Sequence, residues 1–116
     1  MSNLQDFKIK EGVLRKYIGA NSEVVIPNSV TEIGENAFVG CYSLTDVVLP
    51  SNLTDISKGM FMVCISLTRI DIPDSVTKIG ECAFASCLSL TEVDLPLGLA
   101  TIDANAFMGC SALRSI

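Results

Sequence analysis

The residues of this 116-residue chain with the richest chemistry are its five cysteines. Four of them recur every 23 residues, at Cys41, Cys64, Cys87 and Cys110, and the fifth is Cys82. Zinc sites use close pairs such as C-x2-C, whereas the shortest separation here is the five residues from Cys82 to Cys87. The spacing therefore predicts a column of small, buried, reduced thiols rather than a metal site. Cys82 belongs to a different column, with Asn36, Gly59 and Asn105, whose residue types suggest an exposed position, so we expect it to be a free surface thiol.

Catalysis has little support in the sequence. The chain contains no histidine, which is the usual base beside a serine or cysteine nucleophile. Carboxylates can act as acid and base, and Asp71 and Asp94 occupy equivalent repeat positions with Glu92 nearby. Nothing in the sequence predicts a deep pocket around them, so we predict a protein that is not an enzyme and needs no cofactor. A shallow calcium site at these acids stays open as an alternative.

The charge of the chain is acidic and unevenly distributed. The formal net charge is −5, but residues 1–23 hold four basic and three acidic residues (+1), and residues 24–116 hold four basic and ten acidic residues (−6). Sequence-independent binding of nucleic acid needs a basic surface, so we expect no nucleic-acid partner. No stretch reaches the roughly 18 apolar residues of a membrane helix, so we expect no membrane insertion.

The first ten residues, MSNLQDFKIK, contain neither an apolar run nor a small-residue cleavage site. If Met1 is the native start, this absence of a leader favours the cytoplasm. If the chain is a fragment, a cell-surface or secreted location fits equally well, so the sequence leaves the compartment open.

A 23-residue repeat organises the chain and must position all of these groups. The repeat is marked by Pro27, Pro50, Pro73 and Pro96, by Phe38, Phe61, Phe84 and Phe107, and by the four regular cysteines. Five aliphatic columns with the same period begin at Val24, Ile26, Val30, Ile33 and Leu44, and the first of them runs on to Ile116. One such unit cannot bury its own apolar face, so neighbouring units must stack into a solenoid.

Each unit predicts short elements only. Val47 and Leu49 alternate with outward positions and precede Pro50, which predicts a short strand with one buried face. Residues 53–56 could form a second short strand. Apolar residues within 37–44 lie at i, i+1, i+4 and i+7, which predicts one or two turns of α-helix or 3₁₀-helix facing the core.

These columns resemble a known family. The pattern hxhPxxhxxIgxxAFxxCxxLxx, where h is aliphatic, is similar to the BspA-like leucine-rich repeats of bacteria and some protozoa. It fits units 24–46, 47–69, 70–92 and 93–115, which cover 92 of 116 residues. The resemblance implies a leucine-rich-repeat solenoid in the α/β class, mostly β. It also implies a right-handed coil, with a parallel sheet on the concave face and short helical turns opposite. Members recognise proteins or surfaces, and some are bacterial surface adhesins.

The segment before the first unit predicts a cap. Apolar residues at 7, 9, 13 and 17 flank the turn residues Glu11 and Gly12, so residues 7–19 should form a β-hairpin over the first coil. We therefore divide the chain into a cap, residues 1–23, and a repeat domain, residues 24–116. No second cap follows, and Ile116 begins a further strand, so we expect self-association through this open edge or pairing with further repeats.

Two surfaces are candidate binding sites. If residues 24 and 26 point inward, their neighbours point outward and form a surface that we call the strand face. The strand face consists of Glu23, Val25, Asp46, Val48, Arg69, Asp71, Glu92 and Asp94. A second candidate, the apolar stripe, consists of Tyr42, Ile65 and Leu88. Either surface could be ordinary, the first a solvated sheet face and the second partly buried under the next coil.

The sequence therefore predicts a non-catalytic recognition module. Its partner would be a protein or a cell surface, bound through the strand face. The alternative is a structural spacer or stalk segment within a larger repeat protein, with no ligand of its own.

Overall fold

The computed structural model describes residues 4–114, which wind into a β-solenoid of about four turns. A short 3₁₀-helix (Leu4–Asp6) leads into strands β1 (Phe7–Lys10) and β2 (Val13–Tyr17). Each of the following coils then contributes one strand to each of two rows. The first row is β3 (Glu23–Val25), β5 (Asp46–Val48), β7 (Arg69–Asp71) and β9 (Glu92–Asp94). The second row is β4 (Glu32–Ile33), β6 (Asp55–Ile56), β8 (Lys78–Ile79) and β10 (Thr101–Ile102).

The first row confirms the predicted alternation of inward and outward residues. In each of its strands the middle residue is buried and both flanking residues are exposed. Strands β3 and β5 pair in parallel, as do β7 and β9, and every pair joins residues 23 positions apart. Equivalent side chains of successive coils therefore lie side by side, about 4.8 Å apart, the usual strand separation.

The predicted hairpin is present and is also the first rung of the second row. β1 pairs with β2 in antiparallel, and β2 pairs in parallel with β4. The other sheet of this row runs β6-β8-β10. Among the described strands, β4 is not paired with β6, and β5 is not paired with β7. The second coil is therefore joined to the first coil through one row and to the third coil through the other.

The third side of each coil corrects the helix prediction. Residues 34–44 and their equivalents form successive turns, and within residues 4–114 the one helix is the 3₁₀-turn Leu4–Asp6. Two columns of this side have φ between 57° and 74°: Asn36, Gly59, Cys82 and Asn105, and then Gly40, Val63, Ser86 and Gly109. A residue with positive φ cannot continue a right-handed helix, so the apolar spacing at 37–44 produces stacked turns instead.

These turns form a third ladder of hydrogen bonds between coils. The backbone N–H groups of Phe38, Phe61 and Phe84 donate to carbonyls of the next coil at 2.9, 2.8 and 2.8 Å. These hydrogen bonds are present on both sides of the second coil. In the part of the chain that the structure describes, the first row lacks strand pairing between the second and third coils, and the second row lacks it between the first and second coils. The turn side therefore provides continuous backbone pairing along the solenoid.

The core consists of the predicted columns, with an aromatic stack at its centre. The rings of Tyr17, Phe38, Phe61, Phe84 and Phe107 follow one another with centroids 5.3, 5.2, 5.5 and 5.3 Å apart. Tyr17 thus extends the phenylalanine column into the hairpin. Packing loosens in the last coil, where Ile102 is 46% exposed and Phe107 is only partly buried. Ile116, the end of the first predicted column, lies outside the described residues.

Candidate functional site

The strand face is placed as predicted. All eight of its residues are exposed, because they flank the buried middle residues of the first-row strands. Its first half presents the neighbouring side chains of Val25 and Val48, which are 62% and 57% exposed. Its second half presents Asp71 and Asp94 at the equivalent positions. The character of this column therefore changes from apolar to acidic between β5 and β7, where the pairing of the row is interrupted.

One cation organises the acidic half of the strand face. The Nη2 atom of Arg69 lies 3.0 Å from Oδ1 of Asp71 and 3.3 Å from Oδ2 of Asp94. The charge of Asp71 raises the pKa of the Arg69 guanidinium, with smaller contributions from Asp94 and Glu92. Because the face holds five acids and one arginine, its formal charge is −4.

Two acids of the strand face share a cationic partner. Asp71 and Asp94 both lie within ion-pair distance of Arg69, and no group of three or more potential metal ligands occurs within residues 4–114. In the described structure these two carboxylates are therefore paired with a guanidinium.

The apolar stripe lies on the turn side and is open to solvent. Tyr42 is 61% exposed, Ile65 37% and Leu88 51%. The alternative that the next coil partly buries the stripe is therefore wrong for Tyr42 and Leu88. Met108, in the last coil, is 54% exposed and continues the apolar surface beside the stripe.

The cysteine column is structural, although its ends are more open than predicted. Cys64 and Cys87 are fully buried, but Cys41 and Cys110 are only partly buried, because each has one neighbouring coil fewer. Sγ of Cys64 lies 3.1 Å from a phenylalanine carbonyl oxygen of the preceding coil, and Cys87 and Cys110 repeat this contact. Burial raises the pKa of Cys87 to about 12. Cys64, Cys87 and Cys110 are thus weak hydrogen-bond donors in the core rather than reactive groups. Cys41 differs, because its contact with Cys64 lowers the pKa of its thiol.

The position of Cys82 needs a different explanation from the one predicted. Its side chain is partly buried, and its φ is 57°. The equivalent positions hold Asn36, Gly59 and Asn105, the residue types that tolerate a left-handed backbone best. The asparagine and glycine in this column therefore reflect backbone geometry, and exposure of the position does not follow from them.

One groove of the described structure was not predicted. It encloses about 670 Å³ along the second strand row. Its charged lining residues are Glu32, Glu35, Asp55, Lys58, Lys78, Glu81 and Asp103, and two ion pairs at 3.5 Å, Lys58–Glu81 and Lys78–Asp103, cross it. The column Glu35, Lys58 and Glu81, in which the charge alternates from coil to coil, could have indicated the groove. Ser57 also lines it, and its hydroxyl donates a hydrogen bond to the carbonyl oxygen of Ile33. No helix within residues 4–114 is long and apolar enough to cross a membrane.

Comparison with known proteins gives the family. The BspA type leucine rich repeat region matches residues 8–116 in six copies, so the match also includes most of the hairpin. A leucine rich cell surface protein of Faecalibacterium prausnitzii is 34% identical, with a TM-score of 0.84 over 95% of this chain. The chain spans only 31% of that protein. No curated protein matches the chain.

Two further solved structures agree with this result. The leucine rich repeat protein of T. pallidum is 27% identical with a TM-score of 0.77, over 97% of this chain and 68% of that one. A leucine-rich repeat protein of Bacteroides capillosus is 28% identical with a TM-score of 0.73, over 87% of this chain and 88% of that one. The repeat match, the stacked coils and these neighbours together show that the chain belongs to the BspA-type leucine-rich repeat family.

Proposed function

We propose that this chain is a non-catalytic recognition module that binds a protein or a cell surface through the strand face. The family and fold are typically non-catalytic, and a role in protein interaction or in structure is plausible for them. The finer assignment, to eight residues of one face, is supported by one observation. These side chains are the exposed flanks of strands whose middle residues carry the packing.

The composition of the face supports recognition rather than simple solvation. Val25 and Val48 put apolar area in contact with water on a surface that otherwise carries charges. Five acids and one arginine add a formal charge of −4 over the same strands. Burial of apolar area contributes to the binding free energy. The acidic side chains of the same face favour partners of opposite charge. A partner with basic and apolar groups fits this face best.

A structural spacer is the alternative function. The chain spans under a third of its Faecalibacterium relative, which is described as a cell surface protein. Stacked coils whose outward residues bind nothing would serve as a segment of a stalk in such a protein. In that role the strand face and the apolar stripe would both be without a ligand.

Photo-cross-linking separates these functions. A photoreactive amino acid is placed at Val48 on the strand face, at Leu88 in the apolar stripe, or at the exposed control position Asn52. Each intact protein is then irradiated with bacterial and host surface extracts. We expect adducts from Val48 alone. Adducts from Leu88 alone would move the binding site to the apolar stripe, and equal yields at all three positions would support the spacer.

A charge variant makes the test specific. Replacing Asp71, Glu92 and Asp94 by Ser should change the free energy of unfolding by no more than about 0.5 kcal/mol, because all three side chains are exposed. The same variant should lose the Val48 adduct and the salt dependence of its formation. If the variant unfolds, these acids are structural. If it still gives the adduct, they do not select the partner.

A further inference from the structure

The β1–β2 hairpin carries a cluster of cations with few local partners. Lys8, Lys10 and Arg15 are exposed, and within residues 4–114 none of them lies in an ion pair. Lys8 is directly opposite Lys16 in the antiparallel register, and like charges in that position repel. Lys16 has one neutral contact, a hydrogen bond of 3.4 Å to the carbonyl oxygen of Asn36.

The outermost strand of the hairpin alternates basic and apolar residues. Ile9, which is 36% exposed, lies between Lys8 and Lys10 in β1. β1 is the terminal strand of its sheet, so no described strand covers its outer side. Lysines on such an edge oppose pairing with an identical edge, but they favour contact with an acidic surface. The hairpin, residues 7–17, has four basic residues and one acid, Glu11, a formal charge of +3.

The strand face has the complementary composition. It combines an apolar pair, Val25 and Val48, with a formal charge of −4. We propose that the strand face binds the β1–β2 hairpin of a second copy of this chain, an inference that rests on the proposed function of that face. The open edge of β1 would lie across the strand face, so that Ile9, on one side of this edge, meets the valines, while Lys8 and Lys10, on the other side, reach the neighbouring acids. Residues two apart in a strand are about 7 Å apart, and carboxylates on adjacent coils are about 5 Å apart, so flexible lysine side chains span both spacings.

The hairpin and the strand face of one molecule belong to different strand rows. The hairpin continues the second strand row, whereas the strand face belongs to the first row. A molecule can therefore offer its hairpin to one neighbour and its strand face to another. Such a heterologous contact leaves one hairpin and one strand face unused at the two ends of each pair, so association can continue beyond the dimer. The interface is small and charged, so the contact should be weak and strongly dependent on salt.

Sedimentation velocity of the full chain tests this proposal. In about 20 mM salt the weight-average sedimentation coefficient should rise with concentration and pass the value of a dimer without a plateau. In about 200 mM salt the association should weaken by about tenfold or more, because the screening length falls from roughly 20 Å to less than 8 Å. A wild-type chain that stays monomeric in both salts overturns the proposal.

Charge reversal identifies the two surfaces. One variant carries Lys8→Glu and Lys10→Glu, which changes the formal charge of the hairpin from +3 to −1. The other carries Asp46→Lys, Asp71→Lys and Asp94→Lys, which changes the formal charge of the strand face from −4 to +2. Each variant alone should be monomeric, since its hairpin and its strand face then carry like charges. An equimolar mixture should associate again, because the acidic hairpin of the first variant fits the basic face of the second. As a control for net charge, Lys58→Glu with Lys78→Glu reverses two exposed lysines of the groove and should associate as the wild type does.

Each outcome of the mixing experiment either supports or overturns the contact between the hairpin and the strand face. Association of either variant alone, or a monomeric mixture of variants that circular dichroism shows to be folded, overturns the hairpin contact. Failure of the hairpin contact leaves the proposed function to be judged separately, because cross-links from Val48 to a different protein do not depend on self-association. Loss of Val48 adducts together with intact self-association would instead restrict the strand face to copies of this chain.

Discussion

Replacing Phe84 by Ala removes a central ring from the aromatic stack. Phe84 is fully buried, and its ring lies 5.5 Å from that of Phe61 and 5.3 Å from that of Phe107. Truncation of a buried phenylalanine costs about 3–5 kcal/mol through lost burial and the cavity left behind. Both stacked contacts disappear as well, and such pairs are worth about 0.5–1.5 kcal/mol each beyond their buried area. The expected loss is therefore at the upper end, about 4–5 kcal/mol.

That loss is large for a chain of this size. Domains are typically stable by about 5–15 kcal/mol, so a loss of about 4–5 kcal/mol in Phe84→Ala should remove about a quarter or more of the total. One kcal/mol corresponds to roughly 4 °C near this chain length, so the melting temperature should fall by about 16–20 °C. Urea and thermal unfolding, followed by circular dichroism, measure both quantities.

Phe107→Ala is the matched control. Phe107 is only partly buried and has one ring neighbour within the described residues. Removing its ring leaves a site open to water rather than a closed cavity. Phe107→Ala should therefore lower the free energy of unfolding by about half as much as Phe84→Ala does. Two results would contradict this reasoning: a melting temperature of Phe84→Ala within a degree or two of the parent's, or a loss in free energy of unfolding no larger than that of Phe107→Ala. In either case the aromatic stack does not stabilise the core as described, and the inward assignment of this column is wrong.

Four further predictions concern the thiols and the backbone. Thiol reagents should label the partly buried Cys82 of the native chain faster than Cys87, which should react only after unfolding; equal rates would contradict the buried column. Because the pKa of Cys87 is raised to about 12 from 9.0, the unfolded chain loses this proton first, and the free energy of unfolding should fall as pH rises between those values. Val63→Gly should increase that free energy by about 1 kcal/mol, because a β-branched residue there has a φ of 62°; a decrease in urea unfolding would refute the strain. Gly80→Ala should cost about 1–3 kcal/mol, since its Cβ would meet a backbone nitrogen at 2.8 Å. Gly98→Ala should be neutral in the same assay, because the nearest atom to its Cβ would be the carbonyl oxygen of Asp74 at 4.0 Å.

The buried part of the fold was predictable because stacking repeats one environment. A position that faces the core in one coil faces it in every coil, so Val24, Val47, Ile70 and Val93 share one column and one burial class. The alternation within each strand then fixes the outward residues without further information. The sequence therefore predicts the strand face residue by residue, although it does not predict which face has a ligand.

The turn side could not be predicted from apolar spacing, because backbone geometry decides it. Positions 37–44 have helical spacing, but left-handed residues precede Ala37 and follow Val39. The glycine and asparagine at Gly40 and Asn36 indicate this geometry, while Val63 and Cys82 in the equivalent columns conceal it. The contacts of the thiols with phenylalanine carbonyls could not be predicted either, because they depend on the path of the backbone in the preceding coil.

The three sides of each coil contribute unequally to the contacts between coils, and this explains how the outward residues of one side can vary on this fold. Neither strand row is continuous, whereas the turn-side hydrogen bonds and the aromatic stack cross every junction from the hairpin to the last described coil. Cohesion between coils therefore depends least on the outward residues of the first row. Among these, one column reads Val25, Val48, Asp71 and Asp94, a change from apolar to acidic that no core column makes. Since substitutions there cost little stability, selection for a partner can act on them directly, and the same freedom allows the face to match a hairpin built from the chain's own basic residues.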